Sequence, residues 1–355
     1  MPARPHPTLA PSGDRFGAHR SLDPVGSLPQ AARRLNNDFS CIFNGEMLVA
    51  VETLNVDAAS FRQMEEGEGG TDDQVLAGRV LATVAARGKQ HNPVTGSGGM
   101  LLGRVLACAP DRDDGDLAVG DRIATLVSLS LTPLRIDRVK AVRRASAQLD
   151  VEGEAVLFAS GAYARMPGDL SERLALAVLD VAGAAPQVSR LVGPDACVLV
   201  LGAGGKSGIL CAAEARRCGG PGAIVVGVEN HAPFAADLEA LGICSRVLSA
   251  DATDPVQVRR RFLEATGGRE ADVSFSCVNV PDAELSAILP LRRRGIAYFF
   301  AMSTSFTRAA LGAEGVGKDV DLFIGNGYAE GHADHALTMM RELPDVRELF
   351  EKRYG

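Results

Sequence analysis

The feature that most constrains the fold of this chain is a glycine-rich turn between an apolar strand and a helix. The run Cys197–Leu201 is apolar and of strand length, residues 202–208 contain four glycines, and residues 209–217 have the apolar spacing of a helix. A strand, a glycine turn and a helix in that order predict the first βα unit of a doubly wound parallel sheet.

The glycine spacing in this turn matches the pattern that binds the pyrophosphate of a dinucleotide. Gly202 permits the tight turn, and Gly204 lets backbone N–H groups approach a phosphate at the positive end of the helix. Ser207, a small residue, replaces the third glycine of the pattern, and Gly208 stands next to it. The predicted cofactor-binding residues of the turn are Gly202, Ala203, Gly204, Gly205, Lys206 and Ser207.

Two alternatives to a dinucleotide site remain for this turn. Residues 205–207 spell the end of a P-loop, but that pattern needs a glycine at position 200, where the chain has Val200. A turn with a purely structural role is the other alternative.

An acidic residue follows at the end of the next predicted strand, Ala223–Val228. In this place Glu229 can accept both hydroxyls of the NAD ribose and repel the 2′-phosphate of NADP. Its neighbours Asn230 and His231 leave NADP open. We therefore expect NAD as the cofactor, with NADP as the alternative.

The pattern on the two sides of about residue 171 differs. Before it, short alternating segments such as Glu46–Val51 and glycine-rich loops indicate a mostly β domain. After it, helical and strand-like segments alternate to Met302, starting with one predicted helix over Leu174 to Leu191. An irregular stretch then leads to two helical segments, Ala333–Leu343 and Val346–Tyr354. The predicted fold class is α/β, a Rossmann doubly wound parallel sheet plus a mostly β domain.

Composition excludes several classes of function. The length of 355 residues suits two domains, and 37 basic against 44 acidic residues leave a net charge of −7, which argues against nucleic-acid binding. The apolar runs are far shorter than the roughly 20 residues of a membrane helix, so no membrane partner is expected. Seven scattered cysteines without a Cys-x-x-Cys pair fit reduced thiols and a cytoplasmic location.

The order of the two domains resembles the medium-chain dehydrogenase/reductase superfamily. This resemblance implies a GroES-like catalytic domain over residues 1–165, completed by residues 306–355, and a Rossmann domain over residues 166–305. It also implies a homo-oligomer, either a dimer or a tetramer.

Five short strings resemble, more closely, the L-erythro-3,5-diaminohexanoate dehydrogenase family within that superfamily. They are residues 17–20, 53–61, 92–100, 278–281 and 310–320. The resemblance implies NAD(P)-dependent oxidative deamination of a small diamino acid in lysine fermentation, with Asn279 among the cofactor contacts. A zinc-free quinone or enoyl reductase and a cofactor-binding protein without turnover are the alternatives.

The resemblance also implies an enzyme without a metal. Zinc alcohol dehydrogenases of the superfamily hold a catalytic zinc by cysteine, histidine and cysteine, and the corresponding positions here are Asn55, Gly99 and roughly Ala177. An amine that loses hydride becomes an iminium cation, which Zn²⁺ would repel. We expect carboxylates to replace the metal.

By the superfamily pattern, two aspartates lie at the reacting centre. Asp180 stands in an apolar helix and needs a partner or a cavity; we favour the cavity and expect Asp180 to act as the base. Asp57 is expected to hold an ammonium group, with a turn residue at a strand end as the alternative. The other predicted substrate contacts are Ser60, Thr95, Ser97, Lys318 and Glu314. Lys318 or Lys206 would bind the substrate carboxylate, and a pair between Lys318 and Glu314 one helical turn away is the alternative for the former.

Overall fold

The computed structural model describes residues 7–10, 13–56, 58–67, 69, 72–92, 96–112 and 114–354. The chain divides into two compact units, Met1–Glu172 and Arg173–Gly355.

A six-stranded antiparallel sheet forms the centre of the first unit. The strands of this unit are β1 (Thr8–Ala10), β2 (Ser21–Asp23), β3 (Arg34–Leu35), β4 (Cys41–Phe43), β5 (Met47–Asn55), β6 (Met100–Cys108), β7 (Arg122–Thr125), β8 (Leu134–Arg143), β9 (Gln148–Leu157) and β10 (Tyr163–Arg165). The large sheet has the order β10-β7-β6-β5-β9-β8, while β1 pairs with β4 and β2 with β3. This mostly antiparallel arrangement agrees with the mostly β domain predicted for the first half.

Two helices that the sequence analysis did not predict stand between β5 and β6. They are α1 (Ala58–Glu66) and α2 (Asp73–Arg87). Leu76, Val80 and Val84 of α2 follow one another at intervals of four, so they share one face, and all three are buried in the core of this sheet.

A six-stranded parallel sheet forms the centre of the second unit. Its strands are β11 (Cys197–Leu201), β12 (Ile224–Val228), β13 (Arg246–Leu248), β14 (Ala271–Ser276), β15 (Leu291–Phe299) and β16 (Asp321–Ile324). The order β13-β12-β11-β14-β15-β16 is the 3-2-1-4-5-6 order of a Rossmann fold, and all five neighbouring pairs are parallel. The predicted fold class is therefore confirmed. Ligands of such sheets bind outside the carboxyl ends of the strands, where the strand order reverses between β11 and β14.

Helices precede and follow these strands along the chain. They are α3 (Glu172–Leu179), α4 (Ala184–Leu191), α5 (Lys206–Gly219), α6 (Ala232–Leu241), α7 (Pro255–Ala265), α8 (Glu284–Ile288), α9 (Phe306–Gly315), α10 (His332–Glu342) and α11 (Pro344–Tyr354). The single helix predicted over Leu174 to Leu191 is two helices. Its break is at Gly183, where a Cβ atom would lie 2.1 Å from the carbonyl oxygen of Gly327, so the chain passes close to another backbone segment.

The location of residues 306–355 differs from the prediction. They are predicted to complete the first domain, with domain boundaries at 165/166 and 305/306. In the structure the division lies at 172/173, and the whole of 173–355 forms one unit. The physical reason is that β16 adds a sixth parallel strand to β15, and α10 and α11 pack against α4 and α6.

Among the described residues, no single helix has the length and apolarity to cross a membrane. The helices α3 and α4 reach them only together, across a 47° bend.

Candidate active site

The glycine turn between β11 and α5 closes so tightly that two positions require glycine. Gly202 has a φ of +70°, and a Cβ atom there would lie 2.8 Å from the Cα of Val278. A Cβ atom at Gly208 would lie 2.1 Å from the carbonyl oxygen of Gly202. The close approach of helix and turn that the third glycine normally allows is therefore provided by Gly208, and Ser207 carries no such constraint.

The first turn of α5 presents backbone N–H groups without acceptors. Gly205 caps the helix with no side-chain hydrogen bond, and the Ile209 N–H is the first that reaches a helical acceptor, the Gly205 oxygen at 2.9 Å. Within the described part of the chain, the N–H groups of Lys206, Ser207 and Gly208 have no hydrogen-bond acceptor. Such a helix start is a site for an anion. The turn therefore fits the pyrophosphate of a dinucleotide.

The N–H group of Gly204 has a different role from the predicted one. It donates to Oε2 of Glu229 at 3.1 Å, and a Cβ atom on Gly204 would lie 2.7 Å from that oxygen and 2.7 Å from the Cβ of Phe234. The other carboxylate oxygen of Glu229 accepts the N–H of His231 at 2.9 Å. Glu229 is thus fixed at the end of β12, buried beside the turn, in the position predicted for a ribose contact.

Asp180 forms an ion pair with Lys206. Its Oδ2 accepts a hydrogen bond from Nζ of Lys206 at 2.9 Å, and both side chains are about 30% exposed (27% and 30%). This partner differs from the expectation of a cavity beside Asp180, because Lys206 was not predicted to pair with it. The pair joins the residue after α3 to the first residue of α5, at the glycine turn.

The loop after β14 lies beside the same turn. It carries Val278, whose Cα restricts position 202, and the exposed Asn279. Asn279 is therefore at the carboxyl edge of the parallel sheet, where the sequence analysis expected a cofactor contact.

Lys318 and Glu314 lie elsewhere. Nζ of Lys318 donates to Oε1 of Glu270 at 3.2 Å and to the carbonyl oxygen of Leu291. Glu270 precedes β14 and Leu291 begins β15, so Lys318 is at the amino edge of the sheet, opposite the glycine turn. Glu314 is exposed near the end of α9 and is not the partner of Lys318. The chain connection between α9 and β16 crosses at that amino edge, which corrects both predicted substrate contacts and the predicted pair.

The predicted site residues of the first unit are only partly described. Asp57 and Thr95 lie outside the described residues. Ser60 is buried in α1. Ser97 holds its own loop together, because its Oγ accepts the Gly99 N–H at 3.3 Å and its carbonyl accepts the Asn92 N–H at 2.8 Å.

The positions that correspond to zinc ligands are occupied by structural contacts. Asn55 is buried, and its Oδ1 accepts Nε2 of Gln148 at 3.1 Å. Gly99 has a φ of +80°, and a Cβ atom there would lie 2.1 Å from the carbonyl oxygen of Asn55, so no ligand side chain fits at this position. Nowhere in the described ranges do three or more histidine, cysteine, aspartate or glutamate side chains meet as a metal site would require.

Two groups before the Gly96–Gly99 loop have shifted pKa values. Burial, and then the charge of Arg87, lower the pKa of Lys89 to about 8, and its Nζ donates to the carbonyl oxygen of Pro29 at 2.6 Å. Burial, and then Lys89 and Arg87, also lower the pKa of His91. Neither residue is predicted in the site from the sequence, because no spacing pattern marks a buried lysine, and a loop histidine such as His91 is more often a hydrogen-bonded residue than a catalyst.

Arg353 is a contact of the turn that sequence reasoning missed. Its Nη1 donates to the carbonyl oxygen of Gly204 at 2.6 Å. An arginine two residues before the end of the sequence carries no recognisable signal, because its role depends on where α11 packs.

Comparison with known proteins identifies the family. A sequence model described as the L-erythro-3,5-diaminohexanoate dehydrogenase N-terminal domain matches residues 19–167. The fold is similar to that of CurK enoyl reductase (TM-score 0.54, 15% identity, 84% of this chain and 79% of that chain). It is also similar to the Escherichia coli quinone oxidoreductase complexed with NADPH (TM-score 0.51, 18% identity, 85% and 80% of the two chains).

Two relatives match nearly the whole chain. The L-erythro-3,5-diaminohexanoate dehydrogenase of Acetoanaerobium sticklandii is 51% identical over 96% of this chain and 99% of its own length. The enzyme of the same name from Fusobacterium nucleatum is 49% identical over the same shares. Identity at this level over this length confirms the resemblance seen in the five strings, and the chain belongs to the L-erythro-3,5-diaminohexanoate dehydrogenase family.

Proposed function

We propose that the protein catalyses the NAD(P)-dependent oxidative deamination of L-erythro-3,5-diaminohexanoate to 5-amino-3-oxohexanoate and ammonia. The observation that carries this proposal is 51% identity over 96% of the chain to a dehydrogenase of that name. The glycine turn supports it independently, because its unpaired helix N–H groups fit a dinucleotide.

The cofactor residues are those around the turn. The N–H groups of Lys206, Ser207 and Gly208 would hold the pyrophosphate, and Glu229 would accept the ribose hydroxyls. The chemistry that a bound nicotinamide supplies is acceptance of hydride from the carbon bearing the 3-amino group. A negative charge at Glu229 disfavours the 2′-phosphate, so NAD is the proposed cofactor and NADP the alternative.

Asp180 is the proposed base. An amine with a pKa near 10.4 arrives mostly as ammonium and must lose a proton before hydride leaves. Oδ2 of Asp180 is held by Lys206, and Oδ1 has no partner in the described part of the chain, so one oxygen is available for that proton. Water then adds to the substrate iminium and ammonia departs. Asp57 remains the proposed ammonium contact, with Ser60, Thr95 and Ser97 as polar lining.

The reaction is proposed to need no metal. The steric closure of position 99 and the engagement of Asn55 by Gln148 support this proposal. Lys318 and Glu314 are left out of the proposed site because they lie at the opposite edge of the sheet.

We further infer a homo-oligomeric, cytoplasmic enzyme. The outer strand β16 exposes Phe323 (45%) and Ile324 (64%), which favours burial against a second copy. All seven cysteines are free thiols, as a reducing compartment favours.

Turnover with different substrates tests the proposed function. Reduction of NAD⁺ and NADP⁺ is measured with 3,5-diaminohexanoate, simple alcohols, quinones and α-amino acids, with and without a chelator. We expect activity with the diamino acid alone and no loss on chelation. Activity with quinones only, or restored by Zn²⁺ after chelation, would contradict the proposal, and cofactor binding without any turnover would indicate a binding protein.

Variants of the ion pair test the role of Asp180. We expect Asp180→Asn to lower kcat by about 10²- to 10⁴-fold, the usual size of a lost base. Asp180 could matter as a base or only as the ion-pair partner of Lys206. Lys206→Met distinguishes these two roles, because it removes the ion pair but keeps the Asp180 carboxylate. Glu348→Gln, an exposed acid of α11, is the control. Equal losses in Asp180→Asn and Lys206→Met, or none in either, would show that Asp180 is not the base.

A further inference from the structure

Two side chains of the helix α11 reach the cofactor turn: the ring of Tyr354 lies 5.4 Å from Nζ of Lys206, and Arg353 contacts the turn backbone. Nη1 of Arg353 donates to the carbonyl oxygen of Gly204 at 2.6 Å, and the side chain is only 8% exposed. Its Nη2 and Nε donate to Oδ2 of Asp237 at 2.6 and 3.1 Å. Its guanidinium lies over the ring of Phe234, 3.9 Å from the centroid. Three hydrogen bonds and one face of this guanidinium are therefore engaged within the protein.

The two polar groups of the Gly204 backbone are held from opposite directions. Its N–H donates to Glu229 at 3.1 Å and its carbonyl accepts Arg353. Phe234 and Asp237, which hold Arg353, belong to α6, the helix that directly follows Glu229. The peptide before Gly204 is thus held by Glu229, and the peptide after it, whose carbonyl belongs to Gly204, is held by Arg353.

The peptide between Gly204 and Gly205 immediately precedes the N–H groups that fit a pyrophosphate. A rotation of the Gly204 peptide would change the direction of the Gly205 backbone and of the first amides of α5. Held amides need no reordering when an anion binds, so a fixed turn favours affinity. Asp237 pairs with Arg353 through Oδ2 and with Lys352 through Oδ1 at 3.2 Å. Because the Arg353 donors are directed at Asp237 and at the Gly204 carbonyl, Arg353 is suited to hold the turn and not to bind a phosphate itself.

We propose that Arg353 is a positioning residue for the dinucleotide turn, so that the carboxyl-terminal helix sets the affinity of the enzyme for its nicotinamide cofactor. The proposal rests on the proposed function only in needing a dinucleotide cofactor. It makes no use of the diamino acid.

Cofactor titration of the full-length protein without substrate tests this proposal. We expect Arg353→Ala to weaken NADH binding about tenfold or more by calorimetry and by quenching of NADH fluorescence, and to raise KM for NAD⁺ with kcat changed less than about twofold. Arg353→Lys keeps the charge but cannot form the two-pronged contact to Asp237 together with the bond to Gly204, so it should lose most of the affinity too. Arg347→Ala is the matched control, since Arg347 is on the same helix and pairs with Glu351 at 2.9 Å.

The other outcomes decide against the proposal. Unchanged NADH affinity in a folded Arg353→Ala protein would overturn it, and full affinity in Arg353→Lys would show that only the charge matters. Should Arg353→Ala fail to fold, Asp237→Asn loosens the same guanidinium more gently and must weaken NADH binding in the same direction. A parent protein that binds neither NADH nor NADPH refutes the proposed function itself, which separates the two failures.

Discussion

At the scale of single residues, we expect Glu229 to decide the choice between NAD and NADP. Both of its oxygens are already bonded to backbone N–H groups, and each still has a lone pair for a ribose hydroxyl. Hydrogen bonds to a charged acceptor are worth about 1.5–3 kcal/mol. We therefore expect Glu229→Gln to lower the ratio of kcat/KM for NAD⁺ over NADP⁺ by about tenfold or more. Glu239→Gln, an exposed acid of α6, should leave the ratio alone, and an unchanged ratio in Glu229→Gln would remove the ribose assignment.

A buried ion cluster in the first unit should dominate its stability in acid. Burial alone would raise the pKa of Glu46, but hydrogen bonds from Arg20 and His19, at 2.6–2.8 Å, outweigh it and lower the pKa. Arg20 is itself fully buried. Because the folded pKa lies below the unfolded one, the unfolded chain binds more protons, and this stabilisation is present above about pH 4.5 and lost as the pH falls through the folded pKa.

The variant Glu46→Gln tests that cluster. We expect it to lower the free energy of unfolding at pH 7 by about 3–5 kcal/mol, because it leaves a buried guanidinium without its charge partner. The difference from the parent should shrink as the pH falls below 4.5. Glu152→Gln removes the surface ion pairs with Arg138 and Lys140 and should cost less than about 1 kcal/mol in the same denaturant titrations. A constant difference at all pH values would be inconsistent with the lowered pKa.

At the scale of elements, the start of α5 shows that Gly208, and not its neighbour Ser207, is the residue that must lack a side chain. Alanine in place of a helical glycine normally stabilises by about 1 kcal/mol. At Gly208 a Cβ atom meets the carbonyl oxygen of Gly202 at 2.1 Å, so we expect Gly208→Ala to lower the melting temperature and to weaken NADH binding. Ser207→Ala, its neighbour, should do neither. A higher melting temperature in Gly208→Ala would contradict the close contact between position 208 and the Gly202 carbonyl.

The elements that sequence reasoning predicted well are those with an uninterrupted pattern. Cys197–Leu201 is apolar throughout because it is buried on both faces, and its bounds agree with β11. The break between α3 and α4 was not predicted, because it depends on contact with Gly327, far along the chain. The missed helix α2 has a clear four-residue spacing of Leu76, Val80 and Val84, which the glycine-rich loops on either side obscured.

The predicted site shows the same difference between contacts that are local in sequence and contacts that depend on distant parts of the chain. The residues of the turn, and Glu229 at the next strand end, follow from the βαβ pattern, and the structure joins them through the bond from the Gly204 N–H to Glu229. Their contacts with a cofactor stay a prediction. Lys318 was misplaced because only the sheet order shows which edge of the sheet a loop occupies. Arg353 escaped notice because its contact with Gly204 spans 149 residues of sequence.

At the scale of the whole molecule, the β16 edge of the parallel sheet exposes apolar side chains that suit contact with a second copy. β16 is the outermost strand next to β15, and an exposed strand edge with apolar side chains favours pairing with another chain. Two copies related by a twofold axis would pair their β16 strands and bury Phe323 and Ile324 of each.

We expect the parent protein to sediment as a dimer or a multiple of it, and Ile324→Lys to sediment as a smaller species. Val256→Lys changes an equally exposed valine of α7 (70%) and should keep the parent mass. A parent protein that is monomeric at micromolar concentration, or an Ile324→Lys variant of unchanged mass, would place the interface elsewhere or remove it, because a lysine buried against its own symmetry copy cannot be tolerated without a partner charge.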